Sequence, residues 1–505
     1  METSFLETIQ AGYTFKGDSI PLGLAMLDGS VVAEAIVKIP LKTLNRHGLI
    51  AGATGTGKTK TLQLLAEALS NASVPVLMMD IKGDLSGLAA AGTDNELIRE
   101  RYKTLKEIFK PLAFPVELLS LSEEKGIRLR ATVSEFGPIL LAKVLGLNDT
   151  QEGLLAMLFK YCDDNALPLL DLKDLGKMLQ YAGNEGKTVI EKEYGKISTS
   201  STGTILRKVI ALQQQGADVF FGEPSFDIND LLRISDDGRG IISILRVTDM
   251  QSKPALFSTF MLQMLAEMYA RLPEEGDLDR PKLVLFIDEA HLIFKEASKA
   301  LLHEMETIVK LIRSKGVGIF FCTQNPMDVP PEVLGQLGLK IQHALRAFTA
   351  NDRKDIKQTA ENYPDSSFYK TENLLTRMGI GEALVTLLNE KGVPTPLAHT
   401  YMLSPRSRMD ILSDAEINDL VSRSGLIEKY NTPIDRESAY EILNAKIAQP
   451  TGLEATSVKV PGESATVKTK EEKSWLETAL NSAAGKQVQR SVVRTLFGVI
   501  QKMFK

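Results

Sequence analysis

Residues 52–59 read GATGTGKT, the run with the most chemistry in the chain. It matches the phosphate-binding pattern G-x-x-x-x-G-K-[ST] at Gly52, Gly57, Lys58 and Thr59. Gly52, Gly55 and Gly57 let the backbone wrap closely around phosphate oxygens with its N–H groups pointing inward. A helix that starts at the end of such a loop adds its positive end. Lys58 is expected at the β and γ phosphates, and the Thr59 hydroxyl at Mg²⁺. The nucleotide-binding set is therefore Gly52, Ala53, Thr54, Gly55, Thr56, Gly57, Lys58, Thr59 and Lys60, with ATP and Mg²⁺ as the cofactors.

A second cluster lies far downstream in LVLFIDEAH at 283–291. Its apolar run carries a buried strand to a tip where two acids emerge. Asp288 is expected to hold Mg²⁺ through water, and Glu289 to polarise the attacking water. An acidic pair here separates a hydrolase from a nucleotide kinase, which needs no carboxylate to activate water. Gln324, at the end of the next strand in FCTQNP, is in a position to touch both the γ phosphate and the lytic water. His291 reads equally as a ligand or coupling residue and as packing beside the acids. Charge developing on a γ phosphate calls for an arginine, and none adjoins the loop in sequence. Arg346, in HALRAF, is the first candidate, supplied by a neighbouring subunit; Arg406 and Arg408 are alternatives, and Arg313 serves equally as charge compensation at a helix end.

These residues need a scaffold, and the apolar pattern supplies one. HGLIAG at 47–52, a helix over 58–70 and the buried run VPVLMMDIKGD at 74–84 make the strand–loop–helix–strand opening of a parallel α/β sheet. More than two hundred residues then separate the loop from the acidic pair, which implies a large helical insertion. The sheet resumes at 238–247 and continues through 282–291, 316–326, 340–349 and 383–388. The expected organisation is a short β-rich segment at 1–45, core at 46–85, a mainly helical insertion at 86–235, core again at 236–405, a helical region at 406–447, a linker at 448–470 and terminal helices with a basic end at 471–505.

The stretches NRHGLIAGATGTGKTKT, VLMMDIKGD, LVLFIDEAH and FCTQNPMDVP together resemble the HerA/FtsK superfamily of P-loop ATPases. The similarity runs from about residue 10 to about residue 500 and is nearest to the bacterial HerA-like helicase C-terminal domain proteins. The resemblance implies a RecA-like P-loop NTPase core with a mostly parallel sheet, self-association (commonly a hexameric ring) and active sites at subunit boundaries. It matches Lys58, Thr59, Asp288, Glu289 and Gln324 to the family's lysine, hydroxyl, metal-coupling acid, catalytic acid and glutamine. Asp80, Lys82 and Asp84 match an acidic-glycine motif near the nucleotide pocket. The chain departs from HerA-type translocases in having about forty residues, too few for a full β-barrel, before HGLIAG. It also shows neither the membrane spans nor the winged helix of FtsK-type pumps.

Composition bounds the rest. At 505 residues the chain calls for two or three folding units. A 44% apolar and 24% charged balance is that of a globular protein, and the net charge of -5 gives no global basic field for nucleic acid. Cys162 and Cys322 lie too far apart in sequence to form a metal cluster between them and read as buried thiols of a reducing compartment. No signal peptide and no run of eighteen apolar residues is present, so a cytoplasmic protein without integral membrane contact is expected. The function implied is ATP hydrolysis by a ring-forming motor, either a DNA translocase or helicase or a regulator acting on a protein partner. Intact Lys58, Thr59, Asp288 and Glu289 argue against an inactive scaffold. Finally, SVVRTLFGVIQKMFK at the end is amphipathic and basic, suited to docking on a neighbour, a membrane surface or nucleic acid.

Overall fold

Four segments, Gly48–Ala51, Val76–Asp80, Leu283–Ile287 and Val317–Thr323, are buried at every residue rather than at alternate ones. Continuous burial is the mark of a parallel strand covered on both faces. The computed structural model, which describes residues 2–249, 253–276, 278–296 and 299–448, joins them in one sheet. Its strands are β1 (Ser19–Leu27), β2 (Ser30–Pro40), β3 (Gly48–Ala51), β4 (Val76–Asp80), β5 (Val116–Ser120), β6 (Ile127–Arg128), β7 (Ile242–Arg246), β8 (Leu283–Ile287), β9 (Val317–Thr323), β10 (Leu339–Gln342), β11 (Glu382–Leu387) and β12 (Ala398–Met402). Their order across the sheet is β2-β1-β12-β11-β10-β3-β9-β8-β4-β7-β5-β6. From β10 to β6 every neighbouring pair is parallel, and from β10 to β2 every pair is antiparallel. Side chains from adjacent strands lock the centre: Phe286 and Phe320 stack with centroids 5.1 Å apart, a contact worth about 1 kcal/mol beyond its buried area.

The chain divides into two compact units. The first combines residues up to Arg130 with Pro224–Thr432 and contains the whole sheet. Its helices include α1 (Glu2–Gly12), α2 (Lys58–Asn71) and α3 (Glu96–Thr104). The second combines Ala131–Glu223 with residues from Pro433 on. It is built from α4 (Val133–Val144), α5 (Asp149–Asp164), α6 (Leu172–Gly183), α7 (Lys187–Tyr194) and α8 (Thr199–Gln214). Thr132, Asn148 and Asp171 start α4, α5 and α6 with reciprocal capping boxes, and Ser198 caps α8 by accepting from Ser201 N.

Three boundaries differ from the sequence expectation. The helical insertion begins at 131 rather than 86, because β5 and β6 extend the parallel sheet beyond β7. The segment at 1–45 is not an independent β unit. β1 pairs antiparallel with β12, and α1 seats Phe5 and Ile9 in the same apolar core as the sheet. The strand expected to run to 349 stops at Gln342, since the backbone of the residues that follow turns to other partners. The linker at 448–470 and the terminal helices at 471–505 lie, but for residue 448, outside the described residues. Among the described residues no helix is long and apolar enough to cross a membrane.

Candidate active site

β3 delivers the chain to the carboxyl edge of the parallel sheet, where its two neighbours hold the loop that follows. Gly52 N donates to Thr323 O at the end of β9 (3.3 Å), and Ala53 N to Ala344 O beyond β10 (2.8 Å). Gly52 has φ 153°, and a Cβ there would stand 2.5 Å from His343 Cβ, so both backbone angle and space require glycine. Gly57, at φ 117°, caps the start of α2 without a side-chain cap, as the first N–H groups of a helix lack partners within it. Thr56 Oγ1 donates to Ala53 O (2.7 Å), while Gly381 N donates to Thr56 O (3.1 Å), closing the loop from both sides. Lys58 Nζ lies inside, donating to Gly52 O (2.6 Å) and Ala53 O (3.2 Å). Burial lowers its pKa, as does the neighbouring charge of Lys82, with Glu289 and Asp288 opposing. The result is a glycine-rich loop closed around the Lys58 ammonium at the start of a helix, an arrangement suited to phosphate oxygens.

The acids meet this loop from β8. Asp288 and Glu289 are each 4% exposed, and Glu289 adopts φ 46° as Ala290 N ties the turn to Cys322 O (2.9 Å). Burial, and next the charge of Glu289, push the Asp288 carboxyl up to about 6, against the pull of Lys82. Lys82 forms an ion pair with Glu289, and His291 Nδ1 lies 3.2 Å from the other Glu289 oxygen. Lys82 is held by the loop after β4, which folds around Asp80: its carboxylate accepts from Gly83 N (2.7 Å), Asp84 N (3.1 Å) and Leu85 N (3.2 Å). Burial and the nearby Asp84 raise the Asp80 carboxyl to about 7 despite those three bonds.

Thr59 and Asp288 were expected at a Mg²⁺ ion. Thr59 Oγ1 donates to Asp84 Oδ2 (3.4 Å), and Asp84 Oδ1 is buried without a hydrogen-bond partner. A hydroxyl beside an unsatisfied carboxylate oxygen, with the buried Asp288 acid nearby in charge terms, fits a hard divalent cation. No group of three or more His, Cys, Asp or Glu side chains among the described residues forms a metal cage.

The remaining sequence candidates divide. Gln324 follows β9, which lies between β3 and β8, and its Oε1 accepts from Thr54 Oγ1 (3.4 Å). Lys60 turns away from the loop to Gln63 Oε1 (3.1 Å) and Met409 O, because its place in the first turn of α2 faces the 408–410 segment. Arg346 is not in a strand: it stands four residues beyond the end of β10, exposed, and donates to Leu345 O at 3.5 Å. Arg406 bonds Lys110 O and Arg408 pairs with Glu416. Arg313 precedes β9, at the edge of the sheet opposite the loop. Two contributors escaped the sequence reading. His343, fully buried, accepts from Thr61 at Nε2 (2.9 Å) and donates from Nδ1 to Glu382 O (2.9 Å), so it braces the base of the loop. Arg101 grips Ile380 O, Gly381 O and Met402 O and stacks 4.0 Å over Tyr401, fixing the Gly381 segment that supports Thr56. Neither has a local signal, since each meets the loop only through residues distant in sequence.

Comparison with known proteins gives this geometry a lineage. The family described as "Helicase HerA-like C-terminal" matches residues 28–503. The "DNA double-strand break repair helicase HerA" of Sulfolobus acidocaldarius is 22% identical over 353 residues, covering 69% of this chain and 64% of its own. The "DNA import protein CedB" of the same organism is 24% identical over 401 residues, covering 77% and 57%. The chain thus spans less than two thirds of the length of these relatives. They are archaeal, whereas the sequence resemblance pointed to a bacterial group. Among solved structures, the bacterial conjugative coupling protein TrwBdeltaN70 superposes with a TM-score of 0.51 at 15% identity, over 81% of this chain and 94% of that one. This likeness bears on the fold, which is that of a RecA-like P-loop NTPase core with large helical insertions. The chain belongs to the HerA-like helicase C-terminal family, within the HerA/FtsK superfamily of P-loop ATPases.

Proposed function

We propose that this chain hydrolyses ATP to ADP and phosphate in a Mg²⁺-dependent reaction and uses the cycle to drive a ring-forming motor on DNA. The observation that carries the reading is the meeting of three distant segments at one edge of the sheet. Lys58 and Thr59 stand on the loop after β3, Gln324 follows β9, and the buried Asp288 and Glu289 follow β8. Lys58 and the loop N–H groups bind the phosphates. Thr59, Asp288 and Asp84 are the residues that would hold Mg²⁺, which when bound draws charge from the β and γ phosphate oxygens. Glu289 takes the proton of the attacking water, and Gln324 orients that water and senses the γ phosphate. Arg346, exposed on a segment next to the loop, is the residue proposed to reach a neighbouring subunit's nucleotide in a hexamer.

DNA as the substrate draws its support from the printed roles of the relatives, a DNA repair helicase and a DNA import protein. A second reading, a switch acting on a protein partner, is favoured by the net charge of -5. ATP turnover with and without duplex DNA discriminates them. The motor reading expects stimulation by DNA, with DNA affinity falling steeply as salt rises. Turnover that is robust yet indifferent to DNA at low salt would overturn it in favour of a protein partner.

A further inference from the structure

Lys82 is part of neither the phosphate loop nor the acidic pair, yet its ammonium ion-pairs with Glu289. Three carboxylates, Asp84, Asp288 and Glu289, crowd this corner, and the latter two are almost wholly shielded from water. Like charges in such a place repel strongly unless a cation lies among them. Lys58 points elsewhere, into the carbonyls of Gly52 and Ala53.

The backbone under Lys82 is built to stay in place. Asp80 gathers three successive N–H groups of the same loop, and Gly83 turns it at φ 76° with Thr248 close by. Lys82 therefore brings a fixed positive charge to one Glu289 oxygen while His291 borders the other.

We infer that Lys82 is the positioning residue of the Glu289 carboxylate, holding it apart from Asp288 so that it faces the attacking water. This rests on the proposed role of Glu289 as the base. The two lysines then divide the work: Lys58 serves the phosphates and Lys82 serves the base. Loss of Lys82 should impair turnover without weakening nucleotide binding, a separation that general destabilisation does not produce.

The test measures kcat, KM and the affinity for a fluorescent ATP analogue in wild type, K82M, K82R and E289Q. K82M should lower kcat on the order of tenfold to a hundredfold, the scale of a misplaced reacting group, with nucleotide affinity unchanged. K82R, which keeps the cation, should recover much of the loss. Wild-type kcat in K82M, or equal losses in K82M and K82R, would overturn the inference, as would a loss of nucleotide affinity in step with kcat. If E289Q turns over like wild type, the reading of Glu289 has failed instead; if E289Q is inactive while K82M is normal, only the role of Lys82 has failed.

Discussion

At the scale of single residues, the site is a problem of placing charge. Lys58 is buried among backbone carbonyls and Lys82 among carboxylates, and each depends on its loop to be there. Lys58, Thr59, Asp288 and Glu289 were legible because their chemistry sits in contiguous runs that name their own secondary structure. Lys82 was legible as part of a motif but not as the partner of Glu289, since that pair spans more than two hundred residues. His343 and Arg101 carried no such mark. The Lys60 side chain turns away from the loop because it stands in the first turn of α2, which leaves its backbone N–H as the group that could meet phosphate. Replacing Lys58 by Ala should weaken ATP binding about tenfold to a hundredfold, the worth of one charge-assisted bond to phosphate, as read by nucleotide titration. Gly52→Ala should abolish nucleotide binding in the same titration, because its Cβ would meet His343 and force the loop off its two neighbouring strands.

At the scale of elements, the central strands could be read directly, since both faces of each are covered and the apolar runs are unbroken. The edges could not. β5 and β6 lie in a stretch with a helical pattern, and they take strand geometry from their neighbours, β5 from β7 and β6 from β5. The β1–β2 hairpin likewise depends on β12, nearly four hundred residues away. Two buried histidines pin strands to their neighbours. His47 accepts from Ile319 N (3.0 Å) and donates to Val309 O (2.8 Å), and His343 links α2 to β11. Burial holds both near pKa 4, below the usual 6.5. Because the folded pKa is depressed, the unfolded chain binds these protons first. The stability present above pH 6.5 is therefore lost as pH falls toward 4. Each histidine should cost about 2 kcal/mol between pH 7 and pH 5, measured by urea unfolding. His343→Gln should show a shallower loss than wild type over the same range.

At the scale of the whole molecule, two units share one chain, and the first holds every residue assigned to the site. The second enters between β6 and β7, after the sheet has already grown past β4, which is why spacing alone overstated its length. The amphipathic end, SVVRTLFGVIQKMFK, lies outside the described residues. Net charge describes the chain as a whole and leaves the moved substrate to be found by the DNA-stimulation assay. In the proposed reading, distant segments converge to hydrolyse ATP, with Glu289 as the base. The most direct measurement compares steady-state ATP turnover and ATP affinity in wild type and E289Q. The account predicts undiminished affinity and a fall in turnover of about 10² to 10⁴-fold, the contribution of a general base. Wild-type turnover in E289Q would contradict it.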